Sequence, residues 1–329
     1  MGSMRIGHLT LILYLLLCLP AFAQQDAPAT PSDHANPSEE PAAPPPAGMA
    51  SRPDLTPDAE GRLSQGQMRQ LTSVVAQNYR DNFKKQHDYT YIESDVEKTL
   101  GGDHQPKSTE AKTYEIIEIY GEQVRRLIER DHKPLDAKEA AKEEERIQKI
   151  IDKRKNESDG ERKKREETEA RRREESRKFV SAVADTYDFK LLGSEFVGER
   201  EAWVIQGEPR PGFEPHDKDS KFLAKFHGRL WIDKIDLQLA KMDVEAIDTV
   251  SVGWVLARIH KGTRFMYEQA RINDEIWLPK HLTYALDARV ALFKGYNVEG
   301  EQIYRDYKKF RTTSKIVEMG EVKDQQKDQ

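Results

Sequence analysis

The sequence predicts an α+β fold, a large antiparallel sheet with covering helices and an inserted charged helical arm. Three observations carry that expectation. Many short segments alternate apolar and polar residues at period two, joined by tight turns rich in Gly, Asn and Asp. One early stretch repeats apolar residues at three- and four-residue steps. A central block is charged almost throughout, with acid-before-base pairs four apart.

In chain order, Leu9 to Leu19 form an apolar run behind Arg5 and end at Ala21-Phe22-Ala23. Residues 1–23 therefore read as a signal peptide cleaved after Ala23, because the run is shorter than the roughly 20 residues that span a bilayer. The expected location is the periplasm. Cys18 is the one cysteine, so the processed chain has no thiol for a disulfide or a metal thiolate. Residues 24–60 hold nine of the sixteen prolines and read as a disordered linker.

Residues 61–135 read as a helix plus the first strands. Ser64 and Gln67 are spaced as a capping box at the start of a helix whose apolar residues Leu63, Met68, Leu71, Val74, Val75, Tyr79 and Phe83 recur at three- and four-residue steps. Tyr89–Ile92, Tyr114–Tyr120 and Val124–Ile128 then read as a three-stranded meander, with turns at Gly101-Gly102 and Gly121-Glu122.

Residues 136–182 form the insert. Within 136–178, 30 of 43 residues are charged, 16 basic and 14 acidic. Pairs such as Glu145–Lys149 and Glu161–Arg165 favour helix. Nothing apolar stands between Ile151 and Ala170, so no coiled-coil seam is expected. Asn156–Gly160 should break the insert into two helices forming a protruding hairpin, the second capped by Ser158 and Glu161. A docking arm for an envelope protein partner is one use of such an insert, and a solvated spacer is the other.

Residues 183–313 resume the sheet in seven segments: Phe189–Phe196, Ala202–Gln206, Gly228–Asp233, Leu237–Ile247, Thr263–Ile272, Trp277–Phe293 and Ile303–Phe310. Residues 314–329 read as a disordered tail. Two segments have one clean apolar face: Leu278, Leu282, Tyr284, Leu286, Ala288, Val290 and Leu292 on one, and Ala240, Met242, Val244 and Ala246 on the other. Such a face must be buried against helices, against itself or against a ligand.

Composition narrows the function. With 34% charged residues, 37% hydrophobic residues and a mean hydropathy of −0.82, the core occupies only part of the chain. Lys plus Arg is 53 against 58 for Asp plus Glu, a net charge of −5, which argues against nucleic-acid binding by phosphate neutralisation. The nine histidines show no zinc-binding spacing, and no nucleophile elbow, phosphate loop or dinucleotide fingerprint occurs. Asp233 and Asp236 sit at a hairpin turn, where Asp serves the local backbone. No cofactor, metal or catalytic residue is expected, and an enzyme would need a clustered polar pair on the apolar face.

Gly228-Arg229-Leu230-Trp231-Ile232-Asp233, then Asn273-Asp274-Glu275-Ile276-Trp277-Leu278-Pro279, then Tyr304-Arg305-Asp306-Tyr307-Lys308-Lys309-Phe310 resemble the bacterial outer-membrane lipoprotein-sorting proteins over roughly residues 65–315. The insert and the Pro-rich tether depart from the small carriers and look closer to larger envelope members. The resemblance implies a strongly curved sheet, a half-open β-barrel closed by helices, whose cavity holds lipid or lipoprotein acyl chains through transient membrane contact. Helix 63–86 and the stretch Val250–Ile259 are then lid candidates. Met242, Val244, Leu282, Tyr284, Leu286 and Val290 are the expected cavity lining, and Trp203, Trp231 and Trp277 are expected to brace the strands. The alternative is a non-catalytic scaffold acting through the arm.

Overall fold

The computed structural model describes residues 53–120, 122–252, 257–290 and 294–310. The expected signal peptide, most of the linker and the tail lie outside these residues. Where the linker is described its end packs inward: Leu55 is buried beside Leu63 and Met68.

Fourteen strands make one open antiparallel sheet. They are β1 (Arg62–Leu63), β2 (Tyr89–Leu100), β3 (Pro106–Ile119), β4 (Glu122–Arg130), β5 (Lys133–Pro134), β6 (Tyr187–Val197) and β7 (Arg200–Pro209), followed by β8 (Phe226–Asp233), β9 (Leu239–Ala246), β10 (Val250–Val252), β11 (Ala257–Ile259), β12 (Arg264–Ile272), β13 (Ile276–Val290) and β14 (Lys294–Lys309). Their spatial order is β1-β6-β7-β8-β9-β12-β13-β14-β2-β3-β4-β5. The meander β2-β3-β4 is present, and the last strand joins it to the rest of the sheet.

Two strands run further than the alternation predicts. β2 continues eight residues past Ile92, because its inward positions there are Glu93, Asp95 and Glu97, which hide the apolar signal. β14 begins nine residues before Ile303, and its inward positions include Val298, Gly300 and Gln302. The described parts of Val250–Ile259 are strands of the sheet rather than a covering element. They are β10 and β11, and β11 hydrogen-bonds to β13 beyond the end of β12. Alternation of β-branched Val and Ile favours this extended pairing.

The helices are α1 (Gln65–Gln86), α2 (Ala137–Lys155), α3 (Asp159–Thr186) and α4 (Lys218–Leu223). Ser64 and Gln67 form the expected capping box on α1, and Ser158 and Glu161 form it on α3. α1 crosses one face of the sheet, burying Met68 and Leu71 against Phe189, Ile205, Ile232 and Leu239. Two asparagines fix it there. Asn82 Nδ2 donates to the Trp277 carbonyl at 2.5 Å while the Trp277 amide donates to Asn82 Oδ1 at 2.6 Å, and Asn78 Nδ2 reaches the Asp236 carbonyl at 2.9 Å. The face covered by α1 is the inner face.

The charged insert is a crossover rather than a protruding hairpin. It leaves β5 at one edge of the sheet and enters β6, next to the opposite edge. α3 alone spans about 42 Å at 1.5 Å per residue, the length such a crossing needs. α2 lays Ile147, Ile150 and Ile151 on Ile117, Ile119 and Val124, and the end of α3 packs Phe179, Ala182 and Val183 into the core under α1. Sparse apolar residues at the two ends of the insert decide this, which an average over 43 mostly charged positions conceals. Of the expected ion pairs, Glu145–Lys149 forms at 2.5 Å. Glu161 instead caps Ser158, and Arg165 turns back 2.9 Å to Glu157 across the break.

Candidate functional site

Cross-strand register assembles the expected lining. Met242 on β9 stands opposite Tyr267 on β12, which stands opposite Leu282 on β13. One step along, Val244, Phe265 and Tyr284 form the next row, and Leu286 pairs with Val298. Five of the six lining residues thus belong to one cluster with Phe226, Ala246, Ile259 and Ala288. Val290 pairs through its backbone with Ala257 and Lys294, and its side chain lies outside the described residues. Leu278 stands apart with Tyr89 and Ile276, because the β12–β13 register slips beside Pro279, which has no N–H for the ladder.

This cluster is built almost wholly from strands. Its described helical member is Phe222 of α4, whose ring lies tilted with its centre 4.8 Å from that of Phe226. Leu282, Tyr284 and Leu286 are buried, whereas Met242 and Val244 are only half-buried. α1 therefore covers the β6–β9 side of the inner face, and beyond it the sheet curls over its own apolar residues. Glycines allow the tight packing. A Cβ on Gly228 would run into the Asp243 carbonyl oxygen, and one on Gly300 would run into the Tyr284 ring that lies across it.

The tryptophans divide between locations. Trp203 packs on the inner face with Ile232 and Leu239. Trp231 is on the outer face with Ala202 and Val204, where its Nε1 donates to Glu195 at 2.8 Å and the Lys241 ammonium sits 4.8 Å from its ring centre. Trp277 donates through Nε1 to Asp236 Oδ2 at 2.8 Å. That carboxylate also receives Arg271 at 2.8 Å and Arg200 at 3.1 Å, while the buried Asp233 takes Arg200 at 2.7 Å and the Asp236 amide at 2.6 Å. The two aspartates lock the β8–β9 turn. Two open clefts on the outer face share Arg264, which pairs with Asp243 at 2.5 Å.

Next to the apolar rows, the inner face becomes acidic. β2 places Glu93, Asp95 and Glu97 opposite Tyr304, Gln302 and Gly300 of β14. Arg125 of β4 donates from Nη2 to Glu93 at 2.5 Å and to Asp95 at 3.5 Å, and its guanidinium lies 3.9 Å from the Tyr114 ring centre. The Tyr284 hydroxyl donates to Glu97 at 3.0 Å, joining the apolar rows to the acids. Burial pushes the Glu93 carboxyl up to about 7, with Arg125 opposing and Asp95 adding to the rise. Burial also raises Asp95 and Glu97, and it pushes the Tyr114 hydroxyl up to about 12. The Oδ1 atom of Asp95 and the Nε atom of Arg125 are buried without a hydrogen-bond partner. The sequence reading missed this cluster entirely. The signal that could have found it is the alternation Glu93, Asp95, Glu97 continuing the period of Tyr89 and Tyr91.

Glu93 and Asp95 are the clustered polar pair that an enzyme on this face would need. They are held by a guanidinium and bordered by phenols, so the arrangement offers charge recognition. Among the described residues no group of three or more His, Cys, Asp or Glu is placed to hold a metal, and no helix is long and apolar enough to cross a membrane.

No family model and no curated protein matches the chain. Solved structures similar to it include a domain named for outer-membrane lipoprotein sorting from Vibrio parahaemolyticus, at 11% identity and a TM-score of 0.30, covering 74% of this chain and 95% of that one. A DUF1329 family protein from Desulfovibrio piger is 12% identical with a TM-score of 0.25, covering 75% and 95%. A LolA superfamily protein from Nitrosomonas europaea is 10% identical with a TM-score of 0.24, covering 70% and 93%. One of the three is named for lipoprotein sorting, and at these scores the likeness decides neither ligand nor site.

Proposed function

We propose that the protein is a non-catalytic envelope carrier that holds lipid or lipoprotein acyl chains against the inner apolar face, between β9, β12, β13 and α4. One observation carries this reading: a large apolar cluster on the inner face whose described helical member is one phenylalanine of a six-residue helix. α4 borders this cluster through Phe222, while its Leu223 is buried in the core with Met68 and Leu71 of α1. Each acyl CH₂ gains about 0.8 kcal/mol on burial, so a twelve-carbon chain gains on the order of 10 kcal/mol before the costs of opening and ordering. The short leader-like segment before Ala23 supports a periplasmic site of action.

Leu286 faces the cluster, and Lys241 lies against Trp231 on the opposite face. Leu286→Asp should therefore abolish binding of a dodecyl probe, and Lys241→Ala should leave it unchanged. Equal effects of the two, with both variants folded, would contradict the assignment. The scaffold reading would use the sheet as dry core and act through the exposed positions of 136–178; deleting that arm would then remove activity and spare any acyl-chain binding.

A further inference from the structure

We propose that the free edge of β6, from Ser194 to Val197, receives an extended segment of a partner protein as an added antiparallel strand, with a Lys or Arg of that segment opposite Glu195. The inference is independent of the acyl-chain reading. The two edges of the sheet are finished differently. Along β4, the Leu127 amide donates to Glu143 of α2 at 2.9 Å, Arg146 of α2 donates to the Arg125 carbonyl, and β5 pairs with Glu129 and Arg130. Along β6, β1 pairs at Phe189 and Lys190, and the Gly61 carbonyl accepts from the Leu191 amide. Past the bulge at Leu192 no described strand follows, and Phe196 and Leu192 are 73% and 43% exposed. An edge left open beside apolar side chains is a template for another strand.

The ladder decides what fits. Val197 and Arg200 close the two-residue Gly198-Glu199 turn as a hydrogen-bonded pair, so the backbones of Glu195 and Val197 point to β7. By alternation the N–H and C=O of Ser194 and Phe196 point outward, four groups that only another extended backbone matches together. A second copy of β6 meets all four in the two-fold register that sets Ser194 against Phe196 of the copy. That register puts Glu195 directly opposite Glu195, and like charges so placed are destabilising. Glu195 is the one charged residue between Gly193 and Val197, exposed on the outer face where it accepts from Trp231 Nε1 at 2.8 Å. A foreign strand with a base at that position turns the repulsion into attraction, and its flanking residues supply the ladder to Ser194 and Phe196.

Fluorescence anisotropy of the full processed chain with labelled Thr-Thr-Val-Lys-Val-Thr-Thr tests this, beside the same peptide N-methylated at both valines and a third with Glu in place of Lys. The N-methylated peptide should bind about tenfold or more weakly, because its valines no longer donate to the edge. The Glu peptide should bind about threefold or more weakly at low salt, and Glu195→Gln, which keeps an acceptor for Trp231, should bring the Lys and Glu peptides within about twofold of each other. Bound peptide should slow amide exchange at Ser194 and Phe196. Equal binding of parent and N-methylated peptides, no binding of the parent, or protection confined to other strands overturns the added strand. Equal binding of the Lys and Glu peptides by the wild type overturns the role of Glu195. A dimer of the chain alone in sedimentation, lost in Ser194→Pro, would assign the edge to a second copy and overturn the foreign partner.

Discussion

Single residues on the inner face carry opposing demands. Glu93 is faced by Asp95 on its own strand, Tyr114 from β3, Arg125 from β4 and Tyr304 from β14. Its carboxyl holds a proton more tightly in the folded chain, at about 7, than at its ordinary value of 4.5. Folding therefore takes up a proton between those values. The contribution to stability is complete below about pH 4.5 and is lost as pH rises through 7, at most about 3 kcal/mol across the interval. Urea midpoints measured from pH 4.5 to 8 should show this fall in the wild type and a flatter profile in Glu93→Gln; identical slopes would contradict it. Gly228 makes a different demand, since an added methyl meets a backbone carbonyl rather than a yielding side-chain tip. Gly228→Ala should lower stability by roughly 1–3 kcal/mol with an unchanged denaturant slope. Little of this was readable in advance. Met242, Val244, Leu282, Tyr284 and Leu286 announce themselves by alternation. Glu93, Asp95 and Glu97 announce themselves only by continuing the period of Tyr89 and Tyr91, since acids carry no apolar signal of which face turns inward.

At the scale of elements, strands and caps were the most legible parts. Both capping boxes, the Gly101-Gly102 turn and the strand centres follow from local chemistry. The partnering of β14 with β2 was not legible, since nothing local specifies which distant edge a strand will meet. The insert illustrates the same limit. Its helices are visible in its charge spacing, but their task depends on Ile147 and the Ile150-Ile151 pair at one end and Phe179 to Val183 at the other. Ile147→Ala should cost about 2–4 kcal/mol, read from urea denaturation, as expected for a core isoleucine. A surface-like effect below about 0.5 kcal/mol would return α2 to the status of a free arm. Asn82→Ala removes two hydrogen bonds between α1 and β13 and should loosen that helix by about 1–3 kcal/mol, with faster amide exchange along α1 as its mark.

For the whole molecule, one open sheet has its two edges linked by a long crossover, and its inner face divides into a part under α1 and a part under its own curl. The carrier reading rests on the second part, an apolar cluster whose described helical member belongs to a six-residue helix. The antiparallel fold class was legible from turn chemistry and alternation, whereas the division of the inner face arises only when distant strands are brought into register. The most direct test of the carrier is native mass spectrometry of the processed protein, purified from a bacterial periplasm without detergent, with extraction and identification of whatever accompanies it. A stoichiometric acyl-chain adduct, lost in Leu286→Asp and retained in Lys241→Ala, is the predicted result. A bare protein mass that stays bare after incubation with excess dodecyl amphiphile would contradict it.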